Sequence, residues 1–141
     1  MGFKILEDVA LADIAFRAEG RTKEEMFASA AKAVFSVMTK DKINPVLKQK
    51  IKLKSDKIDT LLYDWLAELI YLKDVESSVF TDFDVKIEES DNEYSLSAEA
   101  RGDKIDYKKY TFLTDVKAIT MNMFEVKKEG SKWICTALLD V

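Results

Sequence analysis

The sequence FDVKIEESDNEYSLSAEA, residues 83–100, changes the hydrophobic period of the chain from that of a helix to that of a strand. Apolar and charged residues alternate through Phe83, Val85 and Ile87, and a second alternation starts at Tyr94. The polar sequence Ser-Asp-Asn-Glu between them is typical of a turn. The stretch therefore predicts a β-hairpin, and with it a series of consecutive strands in the second half of the chain.

Two segments before this hairpin have helical periodicity. Thr22 and Glu25 have the spacing of a capping box, in which a hydroxyl and a carboxylate each satisfy an unpaired backbone N–H. The apolar residues behind them predict a helix over about 23–38. A second helix is predicted over about 58–72 by a wide apolar stripe that must face a sheet or the first helix: Leu61, Leu62, Trp65, Leu66, Leu69 and Ile70.

Four further segments are predicted as strands: residues 12–18, 50–54, 116–126 and 133–139. Strands and helices alternate first, and consecutive strands follow. This order predicts an α+β fold in which two helices pack on one side of a largely antiparallel β-sheet. The length of 141 residues suggests a single domain, 1–141. Within the 116–126 strand, Met121 and Met123 share a face with Ile119 and are predicted to be buried.

Composition argues against several classes of protein. Lys and Arg number 22 against 26 acidic residues, a net charge of −4, so we expect no autonomous high-affinity binding to nucleic acid. The lysine cluster at 48–54 is interpreted as a solvated strand face, with local contacts as the alternative. No apolar stretch approaches the roughly 20 residues that span a bilayer, so we expect no membrane association.

The chain has no histidine and a single cysteine, Cys135. Without histidine there is no Ser-His or Cys-His nucleophile pair, no His-ligated zinc and no imidazole base, which excludes most familiar hydrolase schemes. Cys135 lies in an apolar run and is interpreted as a buried structural thiol. A lone cysteine rules out an internal disulfide and suits a reducing, cytoplasmic location.

Carboxylates lie at the outer ends of the first and last predicted strands. Asp13 stands among apolar residues, while Asp140 and the terminal carboxylate of Val141 end the last strand. If these strands are neighbours, the three groups converge, and they would repel one another unless a cation neutralised them. Ca²⁺ or Mg²⁺ prefers such oxygen donors. The alternative is that a strand-end aspartate is simply solvated, which is its commoner role.

Five segments, taken in order, resemble the archease family. They are an opening strand with an Ala-Asp element, an Ala- and Phe-rich helix, a Leu-Leu-x-x-Trp-Leu-x-x-Leu helix, a Val-Lys-Ala-x-Thr element and a final Asp followed by an aliphatic residue. In this chain they are residues 11–20, 26–38, 61–69, 116–120 and 139–141. The resemblance covers nearly the whole chain.

The resemblance implies an accessory protein, not an enzyme. Archeases activate the RtcB-type tRNA-splicing RNA ligase by promoting its guanylylation and turnover, and they are also described as chaperone-like modulators of a tRNA cytosine methyltransferase. A divalent cation, Ca²⁺ with Mg²⁺ or Mn²⁺ as alternatives, would be bound by Asp13, Asp140 and Val141. Lys117 would take part in ligase activation, and RNA would be contacted indirectly. Asp64 and Glu68 share a helical face at i,i+4 and are expected to be solvated, with a contact to the partner or a place in the cation site as the alternatives.

The sequence departs from the family at two positions. Many members have a histidine just before the Ala-Asp element and another after Val-Lys-Ala-x-Thr, where this chain has Ala10 or Leu11 and Asn122. Two other functions therefore stand beside ligase activation. One is a chaperone-like modulator of a tRNA methyltransferase. The other is a His-free metal-dependent hydrolase, which would need a metal-activated water and more acidic ligands than the sequence offers.

Overall fold

The computed structural model describes residues 2–6 and 13–141. Within them the chain forms strands and helices in the order β1 (Gly2–Ile5), β2 (Asp13–Gly20), α1 (Lys23–Ser36), β3 (Leu47–Ser55), α2 (Ile58–Glu76), β4 (Ser78–Ser90), β5 (Glu93–Lys104), β6 (Ala118–Glu129) and β7 (Lys132–Asp140). Both helices and the hairpin β4–β5 lie where the sequence predicted them. Strand β1 was not predicted, because four residues are too few to show a period.

The strands form two antiparallel sheets, in the orders β1-β2-β7-β6 and β3-β5-β4. The antiparallel α+β class is confirmed, and the strands divide between two sheets where the sequence suggested one. Hydrophobic alternation shows which face of a strand is buried, but it does not show which strand is its neighbour. The division between sheets was therefore beyond the sequence pattern.

One hydrophobic core is shared by both helices and both sheets. Helix α1 packs against β2 and β4, and α2 packs against β6 and β3. Trp65 of α2 is fully buried in this core, and its Nε1 donates a hydrogen bond of 3.0 Å to the carbonyl oxygen of Phe27 in α1. The indole therefore joins the two helices with its one polar group satisfied.

The first helix starts where its capping residue predicts. The Thr22 hydroxyl accepts a hydrogen bond of 3.1 Å from the backbone N–H of Glu25. The Glu25 carboxylate accepts one of 2.7 Å from the N–H of Arg21, one residue earlier than in the usual capping box. Helix α2 ends at Ser77, which adopts a left-handed backbone conformation with φ 49°. In the described residues, neither helix has the length and apolar character needed to cross a bilayer.

The prediction that Met121 and Met123 are buried was wrong. Their exposed fractions are 65% and 55%. The register of β6 against β7 shifts between Thr120 and Glu125, and Met123 has a φ of 60°. This irregularity interrupts the alternation of faces, so both methionines lie in solvent.

The thiol of Cys135 is buried as predicted. Its exposed fraction is 1%, and burial raises its pKa to about 12. Because the thiolate is the reactive form, we expect Cys135 to resist iodoacetamide in the folded protein at about pH 8. In denaturant it should react as an ordinary thiol. Mass spectrometry after timed alkylation measures both rates, and rapid modification of the native protein would contradict the expectation.

Candidate metal and partner-binding site

The first and last of the predicted strands are neighbours in the sheet. Strand β2 pairs with β7 in antiparallel register, and Asp13 lies directly opposite Asp140. Side chains of directly opposed residues project from the same face of a sheet, with Cβ atoms about 4.5–5.5 Å apart. The two carboxylates therefore share one corner, which we call the acidic corner: Asp13, Asp140 and the adjoining Val141.

A third strand completes this corner. Ala118, the first residue of β6, lies opposite Asp140 on the other side of β7. The preceding residue, Lys117, donates its backbone N–H to the carbonyl oxygen of Asp140 at 2.8 Å. Lys117 is exposed, and Val141 is half-buried against the hydrophobic core. The structure thus brings together Asp13, Asp140, Val141 and Lys117.

The acidic corner carries uncompensated charge in the described part of the chain. Within residues 2–6 and 13–141, neither Asp13 nor Asp140 forms an ion pair. Like charges directly opposite each other are destabilising. The same residues contain no group of three Asp, Glu, His or Cys side chains suited to a metal. Among the described residues, Asp13 and Asp140 supply two carboxylate side chains here, and the main chain of Val141 adjoins them.

The side chain of Lys117 lines a groove between α2 and β6. The groove has a volume of about 280 Å³, and its lining includes Tyr63, Tyr71 and Asp74 of α2. Tyr63 holds the two elements together by donating its hydroxyl to the carbonyl oxygen of Ile119 at 3.2 Å. The exposed fraction of Tyr71 is 59%. Lys117 is therefore a cation beside an exposed aromatic ring, an arrangement suited to a protein partner.

Asp64 is not part of the groove lining. It lies half-buried on α2, two helical turns before Tyr71. Residues seven apart on a helix fall on nearly the same face, so Asp64 and Tyr71 are presented in the same direction. The structure thus places Asp64 on the helix that flanks Lys117.

Residues 105–117, which we call the strap, connect the two sheets and determine where Lys117 lies. Most of the strap has no helix or strand, yet it is held along its length. The N–H of Ile105 donates to Ser77, and the N–H of Leu113 donates to Met38, both at 2.7 Å. The Thr39 hydroxyl donates to the carbonyl oxygen of Thr111 at 2.7 Å. The strap is therefore a fixed support for the corner.

Lys73 is a residue that the sequence analysis missed. It is 2% exposed, and its Nζ contacts Asp115 of the strap at 2.7 Å and the neighbouring Asp74 at 2.5 Å. Burial acts to lower the pKa of Lys73, but the hydrogen bonds and charges of Asp115 and Asp74 outweigh it and raise that pKa above its usual value. The sequence did contain an indication that Lys73 is buried, because it follows Leu69 by four residues and so falls on the apolar stripe of α2.

These features define a class of protein. It is a small antiparallel α+β protein with two facing carboxylates where its first long strand meets its last, beside an exposed lysine. Comparison with known proteins then identifies the family. The model of the archease protein family (MTH1598/TM1083) matches residues 3–141, and the chain belongs to that family.

Individual relatives align with this chain over most of their length. The protein archease of Methanosarcina barkeri is 42% identical over 132 residues, which are 92% of this chain and 90% of the relative. That of Pyrococcus furiosus is 37% identical over 132 residues, 92% of this chain and 93% of the relative. The expected family is thereby confirmed.

Two solved structures share the fold. The solution structure of protein 1598 from Methanobacterium thermoautotrophicum superposes with a TM-score of 0.87 at 34% identity, covering 99% of both chains. A crystal structure from Thermotoga maritima, described as "an archease, possible chaperone", gives a TM-score of 0.62 at 16% identity, covering 94% of this chain and 93% of the other. The second likeness concerns the fold alone.

Proposed function

We propose that this protein is an accessory factor in tRNA splicing that activates an RtcB-type RNA ligase by promoting its guanylylation and turnover. It has no catalytic centre of its own in this proposal. The observation that carries the proposal is the direct pairing of Asp13 with Asp140 beside Lys117. Membership of the archease family supports it, because the resemblance to that family implies the same residues.

The acidic corner would hold a divalent cation, Ca²⁺ first and Mg²⁺ or Mn²⁺ as alternatives. The donors would be the side chains of Asp13 and Asp140 and a main-chain oxygen of Val141. The donor chemistry fits, because these are hard oxygen ligands and the two aspartates have no ion pair in the described residues. When bound, the cation would neutralise the corner and join the ends of β2 and β7.

Lys117 and the groove beside it would form the contact with the ligase. The ammonium group is exposed, and Tyr71 offers an apolar surface in the same groove. Asp64, on the same helix, would extend this contact. The strap holds Lys117 close to the acidic corner, so one docking event could engage both. At this site the protein would contact RNA only indirectly, through the ligase.

The test replaces each aspartate by its uncharged isostere. In Asp13→Asn and Asp140→Asn, a charged donor is lost. Ca²⁺ binding should weaken by more than about 10–100-fold, which is the usual effect of replacing a residue that only hydrogen-bonds to a metal ligand. Stimulation of ligase guanylylation should fall with it. Calorimetric titration with Ca²⁺ and a single-turnover guanylylation assay measure the two effects. Asp91→Asn, in the turn of the β4–β5 hairpin, is the matched control.

Thermal unfolding separates this role from a folding defect. In chelator, both variants should be at least as stable as the parent, because one charge of a repelling pair is gone. In excess Ca²⁺ the parent should gain stability and the variants should not. Undiminished stimulation of the ligase by both variants would refute the proposal.

A second candidate function is chaperone-like modulation of a tRNA cytosine methyltransferase. It is favoured by exposed apolar side chains on α2 and β6, namely Tyr71, Met121 and Met123, since such surfaces bind protein partners. It predicts that Tyr71→Ser abolishes activity while Asp13→Asn does not. A metal-dependent hydrolase has less support, because the described residues contain no group of three acidic side chains around a metal position.

A further inference from the structure

The sheet β3-β5-β4 has one face turned away from the core, and lysines dominate one part of it. Strand β3 alternates between apolar residues facing the core and exposed lysines facing solvent. The exposed residues are Lys48, Lys50, Lys52 and Lys54. Strand β4, at the other edge of the sheet, adds an exposed lysine, Lys86.

The strand register places hydroxyl groups between these lysines. Lys52 lies opposite Ser97 of β5, and Ser97 lies opposite Lys86 of β4. Two residues further along on the same face, Lys54 lies opposite Ser95, and Ser95 lies opposite Glu88 of β4. The result is a shallow trough of about 540 Å³ over β5. Its floor includes both serines, its β3 side carries Lys52 and Lys54, and its β4 side carries Lys86 and Glu88. We call it the lysine trough.

The lysine trough has an excess of positive charge, although the whole chain is acidic. Its lining includes three lysines and one carboxylate, Glu88. Four carboxylates line the adjoining pocket beside Lys52 and Lys86: Glu24, Glu25, Asp84 and Glu99. Asp84 and Glu99 are paired with Arg101 at 2.6 and 2.8 Å, and Glu25 accepts a hydrogen bond from the N–H of Arg21. Within residues 2–6 and 13–141, Lys52, Lys54 and Lys86 form no ion pair. A bound anion would relieve their mutual repulsion.

We propose that the lysine trough binds the phosphodiester backbone of single-stranded RNA, weakly and without base preference. Ammonium and hydroxyl groups are the donors that contact phosphate oxygens in nucleic-acid complexes. No aromatic side chain from residues 2–6 or 13–141 lines the trough, so base stacking is not expected and affinity depends on charge. The net charge of −4 limits attraction at a distance and keeps the affinity low at physiological salt.

The arrangement favours a polynucleotide over an acidic peptide. An acidic strand added to the free edge of β3 would lie beside Lys52 and Lys54, but it would leave Lys86 and both serines unused. Edge lysines also oppose pairing between sheets of different molecules. That role does not require serine hydroxyls between them. The donors converge on the face of the sheet above β5, where a flexible phosphate chain can lie.

This contact is separate from the acidic corner and does not rest on the proposed function. The trough belongs to the sheet β3-β5-β4, and the corner belongs to the end of the sheet β1-β2-β7-β6. RNA would thus touch the protein directly and weakly at the trough, in addition to any contact made through a ligase at the corner.

The experiment is fluorescence anisotropy with a labelled uridine oligonucleotide, titrated at several salt concentrations from about 50 mM upward. The variant Lys52→Gln/Lys86→Gln should bind at least tenfold more weakly at the lowest salt. Its plot of log K against log salt should lose a slope of about 1.4, which is about 0.7 for each phosphate contact on a single strand. Lys40→Gln/Lys108→Gln removes the same charge at exposed positions elsewhere and should bind as the parent does.

Three results would overturn the proposal. The first is no binding by the parent protein at the lowest salt. The second is an equal loss in the Lys40→Gln/Lys108→Gln control. The third is tighter binding of a polyglutamate peptide than of RNA, dependent on Lys52 and Lys86, which would assign the trough to an acidic protein segment. Circular dichroism confirms that each variant is folded before binding is compared.

Discussion

Replacing Asp74 and Asp115 together by alanine should cost about 3–5 kcal/mol of unfolding free energy, whereas Lys73→Met should cost less than about 1.5 kcal/mol. Lys73 is 2% exposed, so its ammonium group depends on those two carboxylates. Without them a buried charge has no counterion. The carboxylates are 57% and 60% exposed, so water can solvate them once Lys73 is gone.

The dependence on pH should reverse sign between the parent and the double variant. In the parent, the raised pKa of Lys73 contributes stability that is present below the pKa of the unfolded state and is lost as pH rises through the folded pKa. In Asp74→Ala/Asp115→Ala, burial acts without partners and the pKa of Lys73 falls. The variant should therefore gain stability as pH rises toward the usual pKa of lysine.

Urea denaturation at neutral pH and at about pH 11, above the usual pKa of lysine, measures both effects. The Lys73→Met protein is the control, since it keeps the volume of the side chain and removes the charge. Equal destabilisation by Lys73→Met and by the double variant would contradict the charge argument. The double variant should also loosen the strap. If the proposed function holds, its stimulation of the ligase should then fall even under conditions where it is folded.

Gly102→Ala should destabilise the protein by more than about 3 kcal/mol, the upper end of the usual cost of overpacking. It should also sharply reduce the yield of soluble protein. A Cβ atom at this position would lie 1.9 Å from the carbonyl oxygen of Val79 and 2.7 Å from the Cα of Phe80. Both are backbone atoms of the paired strand β4, so no side-chain rotation relieves the clash. Strands β4 and β5 would have to separate.

Gly130→Ala is the control for this prediction. Gly130 has a φ of 62° in the β6–β7 turn, and a Cβ atom there would meet nothing within 4 Å. Alanine should therefore add backbone strain of about 1 kcal/mol and no steric clash. Chemical denaturation of both variants compares a steric cost with a conformational one. A Gly102→Ala protein as stable as Gly130→Ala would show that the strands can move apart freely.

The local features of the fold were available in the sequence. The Thr22 cap and the apolar stripe beginning at Leu61 predicted both helices, and alternation through Phe83 predicted the hairpin. The reason is that helix and strand periods depend on neighbouring residues, which the sequence displays directly. Asp13 and Asp140 could likewise be singled out as strand-end carboxylates, together with the condition that their strands be neighbours.

The tertiary structure alone decided whether that condition holds. Asp13 and Asp140 are separated by most of the chain, and their pairing follows from how β2 and β7 bury their apolar faces together. The exposure of Met123, the burial of Lys73 and the division into two sheets have the same origin. Each depends on which distant segments pack together, and a local period carries no information about that choice.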